Sequence, residues 1–228
     1  MANEMESAEL FVRQLLAKCR QWPFRSIRHY VVFDTVCTDG TDEKMAELAK
    51  EMDTLEVIMA PENRCVVDAY RRGYDAALKD ACHWILEIDA GFSHRLEDMD
   101  GFFATLSQGK DCVFGVRFGE PGSGFNGDFK RYLISRGGTW LTNRLLGTKL
   151  SDMTSGYALF THHALSTILA KGIHSRGPFF QTEMRTHAHK MDLAVVPICY
   201  HSPSHAVGKS ALKDALGTLW RLRQTLKA

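Results

Sequence analysis

The sequence predicts an α/β fold, a mostly parallel central sheet flanked by helices, and three observations carry that prediction. Short runs such as 29–33, 84–88 and 112–116 are apolar without alternation, as strands buried on both faces are. Segments with apolar residues at helical spacing separate those runs. Polar residues follow directly on them, among them Asp34, Asp89 and Arg117, and in open α/β sheets ligands sit outside the carboxyl ends of the strands.

In chain order, Ala8, Phe11, Val12, Leu15 and Leu16 mark a helix over 8–20, and 29–33 is β-rich and followed by turn residues. The alternation continues with a helix at 43–52, a strand at 55–59, a helix at 66–78 and the strand 84–88. Leu96, Met99, Phe102, Phe103 and Leu106 mark the next helix, which leads to the strand 112–116. Gly119, Pro121, Gly122, Gly124 and Gly127 then make a loop before a helix resumes near Lys130. A strand at 157–160, a helix after His163, a segment around 179–189, a strand at 193–198 and a helix over 210–228 complete the chain.

The 228 residues carry 28 Lys and Arg against 27 Asp and Glu, with 45% hydrophobic residues. This is the composition of an ordinary soluble protein, and a single domain over 1–228 is expected. A net charge of +1 argues against gripping nucleic acid by bulk charge. Cys19, Cys37, Cys65, Cys82, Cys112 and Cys199 form no C-x-x-C pair, so reduced thiols of a cytosolic protein are expected rather than disulfides or a zinc site. No window approaches the roughly 18 apolar residues of a membrane span, and residues 1–7 lack the character of a signal peptide.

Three strand edges carry candidate chemistry: Asp34 with Thr38-Asp39-Gly40-Thr41, Asp89-Ala90-Gly91, and Arg117. Carboxylates at two edges and a guanidinium at a third suit a phosphorylated ligand, whose anionic oxygens a metal and an Arg divide between them. Each also has a plain structural explanation. Asp39-Gly40 suits an ordinary turn, Asp89 a helix cap and Arg117 a solvated strand end. No G-x-G-x-x-G follows a strand, which argues against a dehydrogenase.

The order of the blocks adds to this. Asn3-Glu4 stands before the first helix, and Val31-Val32-Phe33-Asp34 runs on to Thr38-Asp39-Gly40-Thr41. There follow Asn63 with Ala69, Tyr70 and Gly73; Asp89-Ala90-Gly91-Phe92-Ser93-His94; Gly115-Val116-Arg117-Phe118; and Lys130-Arg131-Tyr132-Leu133-Ile134-Ser135-Arg136-Gly137. Ser151 to Phe160, Phe180-Gln181-Thr182-Glu183-Met184 and Gly208-Lys209 close the series. In this order, from residue 3 to about residue 213, the blocks resemble family 2 glycosyltransferases of the GT-A fold, closest to the dolichyl- or polyprenyl-phosphate mannosyltransferases.

The resemblance implies an inverting transfer of a hexose, such as mannose, from GDP-mannose or a UDP-sugar to a polyprenyl or dolichyl phosphate. It assigns Asp89 to a Mg²⁺ or Mn²⁺ ion, and Glu4, Asp34, Asp39 and Asn63 to the nucleotide. Arg117, Arg131 and Lys209 would clamp the acceptor phosphate or the leaving diphosphate, and Gln181 and Glu183 belong to a further family motif. An ionised phosphate attacks without a general base. A saccharide acceptor would need one, and Asp152 is the nearest candidate. A non-catalytic homologue that binds nucleotide or lipid phosphate is the alternative from another class.

Three departures from the family pattern matter. Gly91 stands where the family has a second metal-block carboxylate and Ser93 where Gln is frequent, so a weakly held metal is expected. The family's first apolar strand is missing ahead of Asn3-Glu4, which suggests a natural start further upstream or a truncated chain. Pro203, among His201, Ser204 and His205, replaces a late Arg. The final segment carries Leu212, Leu216, Leu219, Trp220 and Leu226 beside Lys213, Arg221, Arg223 and Lys227. That stripe either packs on the domain or lies in a membrane interface, and any attachment would be peripheral, on the cytoplasmic face.

Overall fold

A computed structural model of the chain describes residues 1–201 and 209–225. The first part holds α1 (Ala8–Cys19), β1 (His29–Phe33), α2 (Thr41–Glu51), β2 (Leu55–Met59) and α3 (Val66–Lys79). There follow β3 (Trp84–Glu87), α4 (Met99–Ala104), β4 (Cys112–Val116), β5 (Gly124–Asn126), α5 (Phe129–Leu146), β6 (Ala158–Thr161) and α6 (His162–Ala170). The last elements are α7 (Phe180–Ala188), β7 (Leu193–Pro197), β8 (Cys199–His201) and α8 (Lys209–Thr225). The runs at 29–33, 55–59 and 112–116 are strands with those bounds, although only 112–116 is buried along its whole length and Glu56 and Met59 of β2 are exposed.

The sheets are mixed in strand direction. β1–β2 and β4–β7 pair in parallel, but β6 lies antiparallel between β3 and β4 in a sheet of order β3-β6-β4-β7. Its run is buried on both faces, so its apolar pattern is the same whichever way the strand points. Alternate residues face two cores. Val113 and Leu159 join Phe11, Phe33, Met45 and Phe102 on one side, while Phe114 and Phe160 join Tyr74, Leu165 and Met184 on the other. The helix expected through 96–106 is interrupted: α4 is flanked by single 3₁₀ turns at Leu96–Asp98 and Leu106–Gln108. Gly101 lets α4 press onto β7, since a Cβ there would lie 2.5 Å from Val196 Cγ1.

No strand precedes α1 among the described residues, and a turn at 5–7 leads into the helix. Among the described residues β1 has only β2 as a ladder partner and β3 only β6. The β1–β2 ribbon and the four-stranded sheet are therefore separate hydrogen-bonded units that share one core, in which Val31 and Phe33 pack with Val113 and Leu159. A small parallel pair, β5–β8, lies where glycine-rich composition predicts only a loop. Leu219 and Leu222 of α8 are buried with Leu146 of α5, whereas Leu212, Leu216 and Trp220 are exposed, so the C-terminal stripe is divided between packing and solvent. Leu226 and Lys227 lie outside the described residues. All six cysteines are free thiols, and no described helix is long and apolar enough to cross a membrane.

Candidate functional site at the strand ends

The N-terminal turn is stitched onto the loop after β1. Asn3 Nδ2 donates to the Val36 carbonyl, and its Oδ1 accepts from Thr38 N. Glu4 N donates to Thr41 Oγ1 at 2.9 Å. Asp39 ties this loop together. Its Oδ2 accepts from Met5 N and its Oδ1 from Thr41 N and Oγ1, and the Thr41 bond leads the causes that lower its pKa. Asp34 spends Oδ1 on Val36 N. Asn63 accepts from Arg72 Nε at 2.7 Å, while its buried Nδ2 has no hydrogen-bond partner among the described residues, a donor suited to a bound ligand.

Asp89 follows β3 at the sheet edge, with its side chain 35% exposed. Tyr70 on α3 donates its phenol to Oδ1 at 2.6 Å. Burial first, then Asp89 itself, pushes the Tyr70 pKa far up, so the phenol stays a donor. His94 Nδ1 accepts from Asp89 N at 3.4 Å, which puts the ring proton on Nε2, and burial lowers the His94 pKa to about 4. The ring is neutral at physiological pH. Gly91 and Phe92 both have positive φ, and this tight turn faces Glu4: a Cβ on Gly91 would lie 2.6 Å from each oxygen of the Glu4 carboxylate. Burial lowers the pKa of the Met1 ammonium, and the nearby Asp34, Cys37, Asp89 and Glu4 oppose that shift.

No three His, Cys, Asp or Glu side chains among the described residues are placed to hold a metal by themselves. The donors present nonetheless fit Mg²⁺ or Mn²⁺. Asp89 keeps Oδ2 clear of the Tyr70 bond, the Glu4 carboxylate fills the place of a side chain at 91, and hard cations of this kind complete their shells with phosphate oxygens and water.

Arg117 and Asp152 are bound to each other. The Arg117 Nε and Nη2 donate to Asp152 Oδ2 and Oδ1 at 2.7 and 3.0 Å, and Arg117 N donates to the same carboxylate at 3.1 Å. Asp152 is fully buried and Arg117 nearly so. Burial alone would raise the Asp152 pKa, but the Arg117 charge and hydrogen bonds outweigh it and hold the group at about 2. A carboxylate so committed does not act as a general base near pH 7. Arg117 is also bonded to Thr154 and set against the rings of Phe118, Phe125 and Tyr200. Arg131 is half-buried beside it, donating to the Tyr200 hydroxyl at 3.1 Å. Lys209 opens α8, but its side chain lies outside the described residues. Glu183 is also structural: it accepts from His174 N and Ser175 N and meets His174 Nδ1 at 3.1 Å.

Gln181 belongs to a buried network that sequence reasoning missed. Glu87, at the end of β3, accepts from the Tyr74 hydroxyl and from Gln181 Nε2. Fully buried Arg185 donates to the Gln181 side chain and lies 4.6 Å from the Phe114 ring centroid. A signal for it exists in the spacing. Tyr70 and Tyr74 are four apart on one helix face and Glu87 and Asp89 two apart at a strand end, and both steps span about 6 Å. Each phenol meets one carboxylate.

Burial raises the Glu87 pKa to about 7, with Tyr74, Gln181 and Arg185 opposing the rise. The folded chain then binds this proton more tightly than the unfolded one. The contribution is present in full below about pH 4.5 and is lost as pH rises towards 7. Relative to wild type, Glu87→Gln is expected to gain about 2 kcal/mol of unfolding free energy between pH 5 and pH 8. Urea denaturation at the two pH values checks this, and a pH-independent difference would refute it.

Comparison with known proteins sets this geometry in context. The sequence profile described as Glycosyl transferase family 2 matches residues 2–169. The polyprenol monophosphomannose synthase of Mycolicibacterium smegmatis is 27% identical over 232 aligned residues, covering 98% of this chain and 85% of that protein. The undecaprenyl-phosphate mannosyltransferase of Micrococcus luteus is 25% identical, covering 82% of this chain and 76% of its own. Among solved structures, glucosyl-3-phosphoglycerate synthase from Mycobacterium tuberculosis in complex with UDP superposes with a TM-score of 0.70 at 13% identity, covering 98% of this chain and 78% of that one. The same enzyme with Mn²⁺, UDP-glucose and phosphoglyceric acid gives a TM-score of 0.69 at 13% identity, covering 98% and 77%.

Proposed function

The chain belongs to glycosyl transferase family 2 and has the GT-A fold, and from that premise we propose that it moves a hexose, mannose first among candidates, from a nucleotide-sugar donor to a polyprenyl phosphate with inversion. The observation that carries this reading is a division of the strand-end surface. Asp34 follows β1, Asp89 follows β3 and the Glu4 carboxylate lies against Gly91 in the turn after Asp89, and the cations Arg131 and Arg136 stand against the aromatic rings of Tyr200 and Phe118 near β4 and α5. The first half suits a cation and the donor diphosphate; the second suits an anionic acceptor. The names of the curated relatives support the acceptor class.

A divalent cation at Asp89 would neutralise charge developing on the leaving nucleoside diphosphate. Tyr70 fixes the carboxylate that would hold it. The acceptor phosphate arrives ionised, so one of its oxygens forms the bond to the anomeric carbon as the bond to the diphosphate breaks, and no protein base is required. Arg131 orients that phosphate, while Arg117 and Asp152 keep the floor rigid. The exposed Phe129, Leu133 and Trp140 of α5 and Leu212, Leu216 and Trp220 of α8, with Lys130, Lys213 and Arg221 beside them, support a peripheral seat on the cytoplasmic face of a membrane, where a lipid acceptor resides.

The test is transfer of labelled sugar from GDP-mannose or UDP-glucose, with Mn²⁺, to polyprenyl phosphate in lipid vesicles. Label in the lipid phase from one donor class supports the reading and names the donor. Thermal stabilisation by a nucleotide without turnover on any acceptor would favour the non-catalytic homologue. Transfer only to a saccharide would overturn the acceptor assignment.

A further inference from the structure

We propose that Glu4 supplies the second carboxylate of the divalent-cation site, filling the place left by Gly91. The inference rests on the reading proposed above, in which Asp89 would hold a divalent cation that neutralises charge on the leaving diphosphate. Gly91 has φ +74°, and a Cβ built on it would lie 2.6 Å from both Oε1 and Oε2 of Glu4. The Glu4 carboxylate thus occupies the volume that a side chain at 91 would fill. It reaches Gly91 from a different segment, the N-terminal turn.

Its position is built, not incidental. The main chain around it is tied down on both sides by Asn3 to Val36 and Thr38 and by Met5 to Asp39, with Glu4 N on Thr41 Oγ1. Ser7 Oγ donates to Glu4 Oε2 at 2.8 Å, and no described residue donates to Oε1. Across the turn, Tyr70 donates to Asp89 Oδ1 and leaves Oδ2. Each carboxylate thus has one oxygen held by a hydroxyl donor, while Glu4 Oε1 and Asp89 Oδ2, the latter 3.8 Å from His94 Nδ1, accept no hydrogen bond from a described residue, and such an acidic pair suits a hard cation. The exchange also frees residue 91 to be glycine, at a φ that other residues adopt at a cost.

The experiment measures Mn²⁺ binding by electron paramagnetic resonance of free Mn²⁺, with GDP and with UDP, and nucleotide binding without metal. Glu4→Gln, Asp89→Asn, Gly91→Asp and the double variant Glu4→Ala/Gly91→Asp are compared with the natural chain. Glu4→Gln keeps the bond from Ser7 and is expected to weaken Mn²⁺ by tenfold or more, with metal-free nucleotide affinity unchanged. Gly91→Asp alone is expected to give no gain, because its side chain meets Glu4, and the double variant to recover most of the affinity lost in Glu4→Gln. That recovery reads the same question should Glu4→Gln fold poorly, as metal-free melting would reveal. Natural Mn²⁺ affinity in Glu4→Gln with loss in Asp89→Asn overturns the role of Glu4 and leaves the family reading standing. A fall in metal-free nucleotide affinity equal to the fall for Mn²⁺ also overturns it, since Glu4 would then hold nucleotide. No Mn²⁺ binding by the natural chain with either nucleotide overturns both.

Discussion

Asp89→Asn is expected to lower kcat/KM for sugar transfer by roughly 10²- to 10³-fold, the usual cost of removing one group that stabilises transition-state charge, while the melting temperature stays near that of the natural chain. Asparagine preserves the shape, and its amide oxygen still accepts from Tyr70, which donates to Oδ1 at 2.6 Å. The amide nitrogen then replaces Oδ2, presenting a donor where a cation needs an acceptor. With the side chain 35% exposed, no buried charge is stranded and the fold has little to lose. Steady-state kinetics at saturating Mn²⁺, paired with thermal unfolding of the metal-free chain, checks both halves. Activity within tenfold of natural would sink the assignment of Asp89 as the metal carboxylate.

The second large effect falls on stability. Arg117→Met or Asp152→Asn, made singly, is expected to cost about 3–5 kcal/mol, the usual penalty for breaking a buried ion pair by removing one partner. Arg117 is 4% exposed and Asp152 0%, and the bidentate contact at 2.7 and 3.0 Å leaves either group without water when its partner is gone. Replacing both with apolar residues is expected to cost less than the two single losses summed, because no stranded charge remains. Urea denaturation of the singles and the double closes the cycle, and additive losses would contradict the coupling. Because the Asp152 pKa is held at about 2 against an ordinary value of 3.8, the pair's contribution is intact above about pH 4. It is lost as pH falls through 2.

The polar positions after the strands were legible because strand ends collect ligand groups in open sheets. Asp34, Asp89 and Arg117 do stand at the ends of β1, β3 and β4. Their individual roles were not legible, because a role depends on which partner folding brings to each side chain. Asp39 is consumed by Met5 and Thr41, Glu183 by His174 and Ser175, and Arg117 by Asp152, 35 residues away in sequence. Gly91 illustrates the same limit. A missing carboxylate can be read from the residue type, but not the Glu4 carboxylate that lies in its place.

By itself the sequence determined the alternation of strands and helices, the strand bounds at β1, β2 and β4, the family, and the strand edges where chemistry gathers. These depend on local apolar periodicity and on collinear motifs, which neighbouring residues encode directly. Only the tertiary structure decided the antiparallel insertion of β6, the separation of the β1–β2 ribbon from the four-stranded sheet, and the pairing of each candidate charge. A strand buried on both faces has the same pattern in either direction, and a charged side chain takes its function from a partner distant in sequence, so neither is settled before the chain is packed.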